Sequence, residues 1–299
     1  MDRFYQTPPV YEAVADKCNE LKRQYSGVRL FSIGKSVLGR KIQALGIGNL
    51  KNATLFVAAV HAQEWLTTLL VLRFFEQLCQ EYHAGREWME VNLKKVFAER
   101  GLVVVPMANP DGVEIALNGA KSAKHLRRQV EGMLARSTRS WQANARGVDL
   151  NHNFDAGFGI LRKMEIDSGI IGPCERQFGG YQPNSEPETK ALVSVCTGLN
   201  IQKVLAFHSQ GEEIFYSYGE KTPKNARIMA DALAASSGYR VISPTGLASH
   251  GGLKDWFIDK TGRNGFTIEI GRGENPLPVE NLEPVYAKIC EMMLMSILL

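Results

Sequence analysis

Several features are scarce or missing in this sequence of 299 residues, and their absence excludes several classes of protein. The net charge is only +4, from 35 basic and 31 acidic residues, so nothing indicates a nucleic-acid partner. The most apolar stretch, residues 289–299, is too short to span a bilayer, and we expect no membrane partner. Residues 1–6 lead into an amphipathic pattern and not into the apolar core of a signal peptide.

Cysteine is also scarce, and its five positions follow no motif. An odd number of scattered cysteines without Cys-x-x-Cys spacing argues against a disulfide framework and against a cysteine-based metal site. We therefore expect reduced thiols in a cytoplasmic protein. The cysteines are Cys18, Cys79, Cys174, Cys196 and Cys290.

No internal repeat, low-complexity tract or linker divides the chain, so residues 1–299 are predicted to form one domain. Hydrophobic residues make up 44% of the sequence, enough to bury a sizeable core. Helical patterns alternate with short apolar runs, which is typical of an α/β fold. We predict that the last helix packs on the sheet or on a second subunit. Helices are predicted at residues 10–25, 65–83, 186–199, 224–237 and 282–298, and strands at 28–33, 40–46, 54–60, 101–106, 203–208 and 266–270.

Between these elements lies a long polar region, residues 112–181, that we expect to be irregular and functional. The sequence Asn-Pro-Asp-Gly at residues 109–112 predicts a turn that closes the preceding strand. Basic residues cluster from Lys121 to Arg128, with Arg136 and Arg139 beyond. We interpret this cluster as a solvated surface insertion; the alternative is that it attracts an anionic substrate.

His61 and Glu64 are the most informative residues of the chain. They stand between the apolar run 54–60 and a helical pattern that begins near Trp65. A His at the end of a strand and a Glu three residues later, on the first helical turn, point at one place beyond the sheet. Zinc accepts imidazole and carboxylate ligands together. The alternative is a solvated His and a Glu that favours a helix N-terminus.

His208 offers a third ligand, because another apolar run, residues 203–208, ends at this residue. In open α/β sheets, sites are built outside one edge, where the strands end. His61, Glu64 and His208 would form a set of two imidazoles and one carboxylate with an open position, as catalytic zinc sites require.

Glu269 interrupts the apolar and β-branched strand 266–270. A carboxylate in such a strand is costly to bury unless it has a partner or a task. Acting as general base toward a water activated by the metal is such a task. The alternative is an edge-strand Glu that faces solvent.

These residues, together with others in sequence order, resemble the zinc carboxypeptidases related to carboxypeptidase A. The similarity covers nearly the whole chain, from about residue 34 onward. It includes His-Ala-Gln-Glu-Trp at 61–65, Asn-Pro-Asp-Gly at 109–112, Gly-Val-Asp-Leu-Asn at 147–151, Phe-His-Ser at 207–209, Gly-Gly-Leu-Lys-Asp-Trp at 251–256 and Phe-Thr-Ile-Glu at 266–269.

The resemblance implies a mixed, mostly parallel eight-stranded sheet with helices on both faces. It implies that His61, Glu64 and His208 bind one zinc ion and that Glu269 acts as base and then as proton donor. The reaction would be hydrolysis of an amide bond in a peptide substrate. A cationic or amide donor would hold the oxyanion.

The sequence departs from the family at several substrate contacts. The family's Asn-Arg pair for the terminal carboxylate is Asn151-His152 here, and His152 would bind an anion only when protonated. The family's oxyanion Arg falls on Gln142; Arg146 is a possible replacement or else a surface Arg. No Tyr matches the family's flexible-loop Tyr, and the segment 245–250 that replaces it places His250 among the predicted substrate contacts.

Lys254 matches a family position at the base of the pocket for the residue after the scissile bond. A Lys there would favour a side chain that ends in a carboxylate; the alternative is a solvent-facing Lys. Residues 144–154 also resemble the bacterial γ-D-glutamyl-diamino acid peptidases, which cut cell-wall peptides. Their meso-diaminopimelate residue carries an amine and a carboxylate, so murein-derived peptides are the predicted substrate.

Three functions remain open at this point: a peptidase for murein-derived peptides, a metallocarboxypeptidase for ordinary or acidic C-terminal residues, and a related zinc deacylase for N-acyl amino acids. A non-catalytic peptide-binding protein is a further class. The intact set of His61, Glu64, His208 and Glu269 argues against that class.

Overall fold

An eight-stranded mixed sheet runs through the centre of the molecule in this computed structural model, which describes residues 2–137 and 139–299. The expected sheet with helices on both faces is confirmed. The strands are β1 (Arg29–Lys35), β2 (Lys41–Gly48), β3 (Ala53–Val57), β4 (Gly101–Val105), β5 (Lys203–His208), β6 (Glu213–Phe215), β7 (Arg240–Ile242) and β8 (Asn264–Glu269).

The strand order is β1-β2-β4-β3-β5-β8-β6-β7. Strands β4, β3, β5 and β8 are parallel neighbours and form the middle of the sheet, and β6 pairs with β7 in parallel. The pairs β1–β2, β2–β4 and β6–β8 are antiparallel. The last strand in sequence, β8, therefore lies inside the sheet, between β5 and β6.

Both faces of the central strands are apolar, as parallel sheets require. Alternation along β3 directs Phe56 to one face, with Leu205 and Phe266 of the neighbouring strands. Leu55 and Val57 point to the other face. Every residue of β3, β4 and β5 is buried, because helices cover both sides.

Ten α-helices are seen in the described residues, and several match the predicted spans to within two residues. The last helix packs on the sheet of its own chain, where Lys203 Nζ of β5 donates to Ser296 O at 2.7 Å. In the part of the chain that the structure describes, no helix is long and apolar enough to cross a membrane. The helices are α1 (Tyr11–Gln24), α2 (Leu66–Ala84), α3 (Leu93–Glu99), α4 (Pro110–Asn118), α5 (Arg127–Leu134), α6 (Phe158–Asp167), α7 (Pro187–Gly198), α8 (Ala226–Ser237), α9 (Leu253–Thr261) and α10 (Leu282–Leu298).

The predicted turn at residues 109–112 is wrong, because this segment begins α4. Asn109 caps the helix by accepting from Gly112 N at 3.0 Å, and Pro110 occupies the first turn, where its missing N–H costs nothing. The prediction that residues 112–181 are irregular is also only partly right, since α5 and α6 lie within them. Their short and largely polar sequences gave no clear helical periodicity.

Candidate active site

Three side chains predicted to bind a metal meet at one point beyond the carboxyl ends of β3 and β5. His61 Nδ1 lies 2.9 Å from Glu64 Oε1, and His208 Nδ1 lies 3.0 Å from Glu64 Oε2. The two Nδ1 atoms are 3.1 Å apart. His208 and Glu64 are buried, and His61 is nearly so.

The local fold explains why these residues converge. Strands β3 and β5 are parallel neighbours, so the segments that follow them leave the sheet at the same edge. After β3 the chain makes a turn in which Glu64 N donates to His61 O at 3.2 Å. Glu64 therefore precedes helix α2. The prediction that it lies on the first turn of this helix is wrong. Thr67 fixes the turn by donating to Glu64 O and accepting from Ala59 N.

Asp149 contacts the opposite side of the His61 ring and was missed as a site residue by sequence reasoning. Its Oδ1 lies 3.1 Å from His61 Nε2. Burial opposes the ionisation of Asp149, but His61 and His152 outweigh it, and its pKa lies well below the usual range. With a metal on His61 Nδ1, this carboxylate would accept the Nε2 proton, as carboxylates commonly do for metal-binding histidines.

The donor set fits a zinc ion. Two imidazoles and one carboxylate face one another in a largely buried place. Their separations of 2.9–3.1 Å resemble those of ligands at a tetrahedral zinc, which lie roughly 3.3 Å apart when the bonds are about 2.0–2.2 Å.

Glu269 lies beside this trio as the last residue of β8. It is paired in register with His208 on β5 and with Glu213 on β6. Burial and then the neighbouring Glu64 raise the pKa of Glu269 well above its usual value. Among the described residues, nothing donates a hydrogen bond to its carboxylate, so the group is available to a proton from solvent or substrate.

One pocket of about 640 Å³ is lined by His61, Glu64 and Glu269. Gln142 lines it, as predicted for a catalytic residue. Arg176 also lines it, and this residue was not predicted. The other lining residues include Arg139, Ser209, Gln210, Glu213 and Asn275.

Gln142 and Arg176 extend the contacts of Asp149. Gln142 Nε2 donates to Asp149 Oδ2 at 2.6 Å, so this amide group is directed at the carboxylate behind His61. Arg176 Nη2 donates to Gln142 Oε1 at 3.1 Å, and the buried Nε of Arg176 has no hydrogen-bond partner among the described residues. The pocket therefore has a guanidinium with donor capacity left for a ligand.

Arg146, the second predicted oxyanion residue, does not line this pocket. Its guanidinium lies 3.4 Å from Glu186 and borders a neighbouring cleft. It is about half exposed.

His152 is buried, and its Nδ1 is already engaged. It lies 2.8 Å from Glu165 Oε1 and 3.0 Å from Gln177 O. Burial lowers the pKa of His152, but Asp149 and Glu165 outweigh burial and raise it. The charge of a protonated His152 is therefore balanced within the protein, which weakens its attraction for a substrate carboxylate.

The remaining predicted substrate contacts cluster around the start of α9. Asn151 Oδ1 accepts from Leu253 N at 3.2 Å. Lys254 is buried, forms an ion pair with Asp255 and donates to Ser217 O at 2.8 Å. His250 Nδ1 lies 3.0 Å from the hydroxyl of Tyr218, whose ring also contacts the Lys254 ammonium. Lys254 therefore does not face solvent.

The chain belongs to the zinc carboxypeptidase family, whose sequence profile matches residues 14–292. It is a zinc metallopeptidase, and one catalytic zinc ion is the family's cofactor. Gamma-D-glutamyl-L-diamino acid endopeptidase 1 of Lysinibacillus sphaericus is 31% identical over 278 residues, covering 92% of this chain and 69% of the relative. The uncharacterized protein YqgT of Bacillus subtilis (strain 168) is 31% identical over 292 residues, covering 95% and 76%.

The fold is also found among solved structures. The crystal structure of thrombin activatable fibrinolysis inhibitor (TAFI) matches with a TM-score of 0.76 and 19% identity, covering 98% of this chain and 74% of that one. At this identity the similarity concerns the fold alone.

Proposed function

We propose that this metallopeptidase cleaves the γ-D-Glu–meso-diaminopimelate bond of murein-derived peptides. The observation that carries the hydrolytic part is the cluster of His61, Glu64 and His208, with Glu269 paired in register with His208 on the neighbouring strand. The substrate part is supported by the relative from Lysinibacillus sphaericus, whose name includes gamma-D-glutamyl-L-diamino acid endopeptidase.

In this proposal His61, Glu64 and His208 hold the zinc. When bound, zinc supplies a Lewis acid that activates water and polarises the scissile carbonyl. Glu269 accepts a proton from the attacking water as the new C–O bond forms. It then returns that proton to the nitrogen of the leaving amine as the C–N bond breaks. Its raised pKa suits this exchange, because base and acid forms are then closer in free energy.

We assign the oxyanion contact to Arg176 and not to Gln142 or Arg146. The Arg176 guanidinium lies in the same pocket as Glu269, and among its nitrogens only Nη2 donates to another residue in the described structure. Gln142 uses its amide N–H on Asp149, and Arg146 lies outside the pocket. Gln142 would instead position Asp149, and through it the His61 ring.

Lys254 and Asp255 supply the proposed recognition of the diamino acid. The Lys254 ammonium has three N–H donors, and the structure directs two of them at Asp255 and Ser217. The third is left for a substrate carboxylate, while Asp255, whose two oxygens accept from Lys254 and Gly252 N, holds the ammonium in place. Asn151 and His250, which lie beside them, would complete the contacts.

The proposal is tested by mass spectrometry of L-Ala-γ-D-Glu-meso-diaminopimelate incubated with the zinc-loaded protein. We expect release of free diaminopimelate by the wild type and not by the Glu269→Gln variant, at equal zinc content. Hydrolysis of ordinary or acidic C-terminal peptides alone would replace the substrate by the carboxypeptidase alternative. Hydrolysis of N-acyl amino acids alone would indicate a deacylase.

We also propose that the enzyme works in the cytoplasm on recycled peptides. All five cysteines are free in the structure. Free thiols are typical of a reducing compartment. Fractionation of cells that produce the protein, with peptidase activity as readout, tests this location.

A further inference from the structure

A second cleft, of about 850 Å³, adjoins the pocket that is lined by His61, Glu64 and Glu269. The two share Arg139 and Arg176 as lining residues. Five arginines line the second cleft, and Glu175 is its one acidic lining residue among those the structure describes. We call it the arginine cleft; its arginines are Arg128, Arg136, Arg139, Arg146 and Arg176.

The charges of the arginine cleft are largely uncompensated. In the described part of the chain, Arg128 and Arg139 form no ion pair, and Arg136 bonds only to the backbone oxygen of Gly132, at 2.9 Å. Arg146 lies 3.4 Å from Glu186. Glu175 accepts from the Ser137 hydroxyl and contacts no arginine closely enough for an ion pair. Several like charges around one concave surface favour an anionic ligand.

Arg127 and Arg128 show that the cleft differs from an ordinary charged surface. Both stand at the start of α5 and both are exposed. Arg127 forms an ion pair with Glu131 at 2.7 Å, one helical turn away, and does not line the cleft. Arg128 lines the cleft and has no such partner. The same helix thus directs a compensated charge outward and an uncompensated one toward the cleft.

Apolar side chains lie between the arginines. Met133, Ile170, Ile171 and Pro173 line the same cleft, and about three-quarters of Ile171 is exposed to solvent. Aliphatic surface flanked by guanidinium groups matches a ligand that has methylene groups and carboxylates, because both kinds of contact are then made at once.

We propose that the arginine cleft binds a carboxylate-rich peptide segment of the substrate. This segment would run from the scissile bond past Arg176 into the cleft. This proposal rests on the proposed peptidase function and adds a second recognition site to it. The predicted alternative role of the basic cluster, attraction of an anionic substrate, is supported by this arrangement. The cleft would favour peptides with two or more carboxylates beyond the bond that is cut.

The test is a binding experiment that requires no hydrolysis. A fluorescein-labelled tetra-glutamate peptide and its tetra-glutamine counterpart are titrated into the zinc-loaded protein at low and at physiological ionic strength. We expect tetra-glutamate to bind at least about tenfold more tightly at low ionic strength and to lose this advantage with salt. The variant Arg128→Ala should weaken tetra-glutamate binding about fivefold, and Arg128→Ala/Arg136→Ala about tenfold.

The matched control is Arg127→Ala, which removes the same charge one residue away. We expect it to change tetra-glutamate binding less than twofold. Equal losses for Arg127→Ala and Arg128→Ala would show a general effect of net charge and overturn the proposal. So would equal binding of the two peptides. If tetra-glutamate binds as expected while the murein tripeptide is not cut, the arginine cleft stands and only the proposed substrate fails.

Discussion

Asp149 Oδ1 lies 3.1 Å from Nε2 of His61, on the side of the ring opposite to Glu64. The contact places a carboxylate acceptor at Nε2, while Nδ1 faces Glu64 and His208, where a metal would bind. We expect Asp149→Asn to weaken zinc binding about 10- to 100-fold, because the neutral amide no longer stabilises the Nε2 proton. Competition with a chelator measures the zinc affinity.

The control for this substitution is Asp231→Asn, which makes the same chemical change on the exposed surface of α8, where Asp231 pairs with Arg227. It should leave zinc affinity unchanged. An Asp149→Asn variant with wild-type zinc affinity and activity would show that His61 needs no orienting carboxylate.

Arg176 is expected to affect the rate and not the metal. Loss of one oxyanion donor typically lowers kcat about 10²–10³-fold, and we expect this of Arg176→Ala with zinc content unchanged. Arg176→Lys should recover part of the loss, since it restores the charge without the planar donor. Arg146→Ala is the comparison, because Arg146 lies outside the metal pocket. Steady-state kinetics on the murein tripeptide separate kcat from KM; a larger loss for Arg146→Ala would reverse our assignment.

Lys254 should be important for stability as well as for substrate recognition. Lys254→Met leaves the buried Asp255 carboxylate without its cation, which typically costs about 3–5 kcal/mol of unfolding free energy. In Lys254→Met/Asp255→Asn we expect most of this loss to be recovered, because the amide oxygen can still accept from Gly252 N. Urea denaturation of both variants tests the coupling; two independent, additive losses would contradict it.

The buried Lys203 is expected to make the stability of the protein depend on pH. Burial, together with the nearby Arg100, lowers the pKa of Lys203 to about 7. Between this value and the normal lysine pKa, the unfolded chain binds a proton that the folded protein does not, so stability rises with pH. The contribution reaches about 1.4 kcal/mol per pH unit. Lys203→Met should remove it.

Urea denaturation at pH 7.5 and pH 9, compared between wild type and Lys203→Met, provides the measurement. We expect the wild type to gain stability relative to the variant as the pH rises. A constant difference between the two proteins would show that Lys203 stays protonated in the fold.

The residues that sequence reasoning identified share a local pattern. His61, His208 and Glu269 each follow or end an apolar run, and parallel neighbouring strands bring such ends together in most open α/β sheets. Helix α10 and strand β5 have the predicted spans, because a long periodic segment and a run of four apolar residues give a clear pattern.

Other features depend on contacts between distant residues and leave no local signal. Arg176 lies in a loop without periodicity, and its place in the pocket follows from its bond to Gln142, 34 residues earlier. Asp149 belongs to the Gly-Val-Asp-Leu-Asn motif, but its role depends on its contact with His61, which lies 88 residues earlier in the sequence. Strands β6 and β7 have three residues each, too few for a recognisable alternation.

The position of β8 inside the sheet sets an order of events during synthesis of the protein. A ribosome produces residues 61, 64 and 208 well before Glu269, so an unfinished chain can possess its metal ligands but not its base. Until residues 264–269 emerge, β6 and β7 have no strand to connect them to β5. Peptidase activity therefore requires the completed sheet, because the proposed base ends its last strand, and a nascent chain that lacks β8 would not cleave peptides.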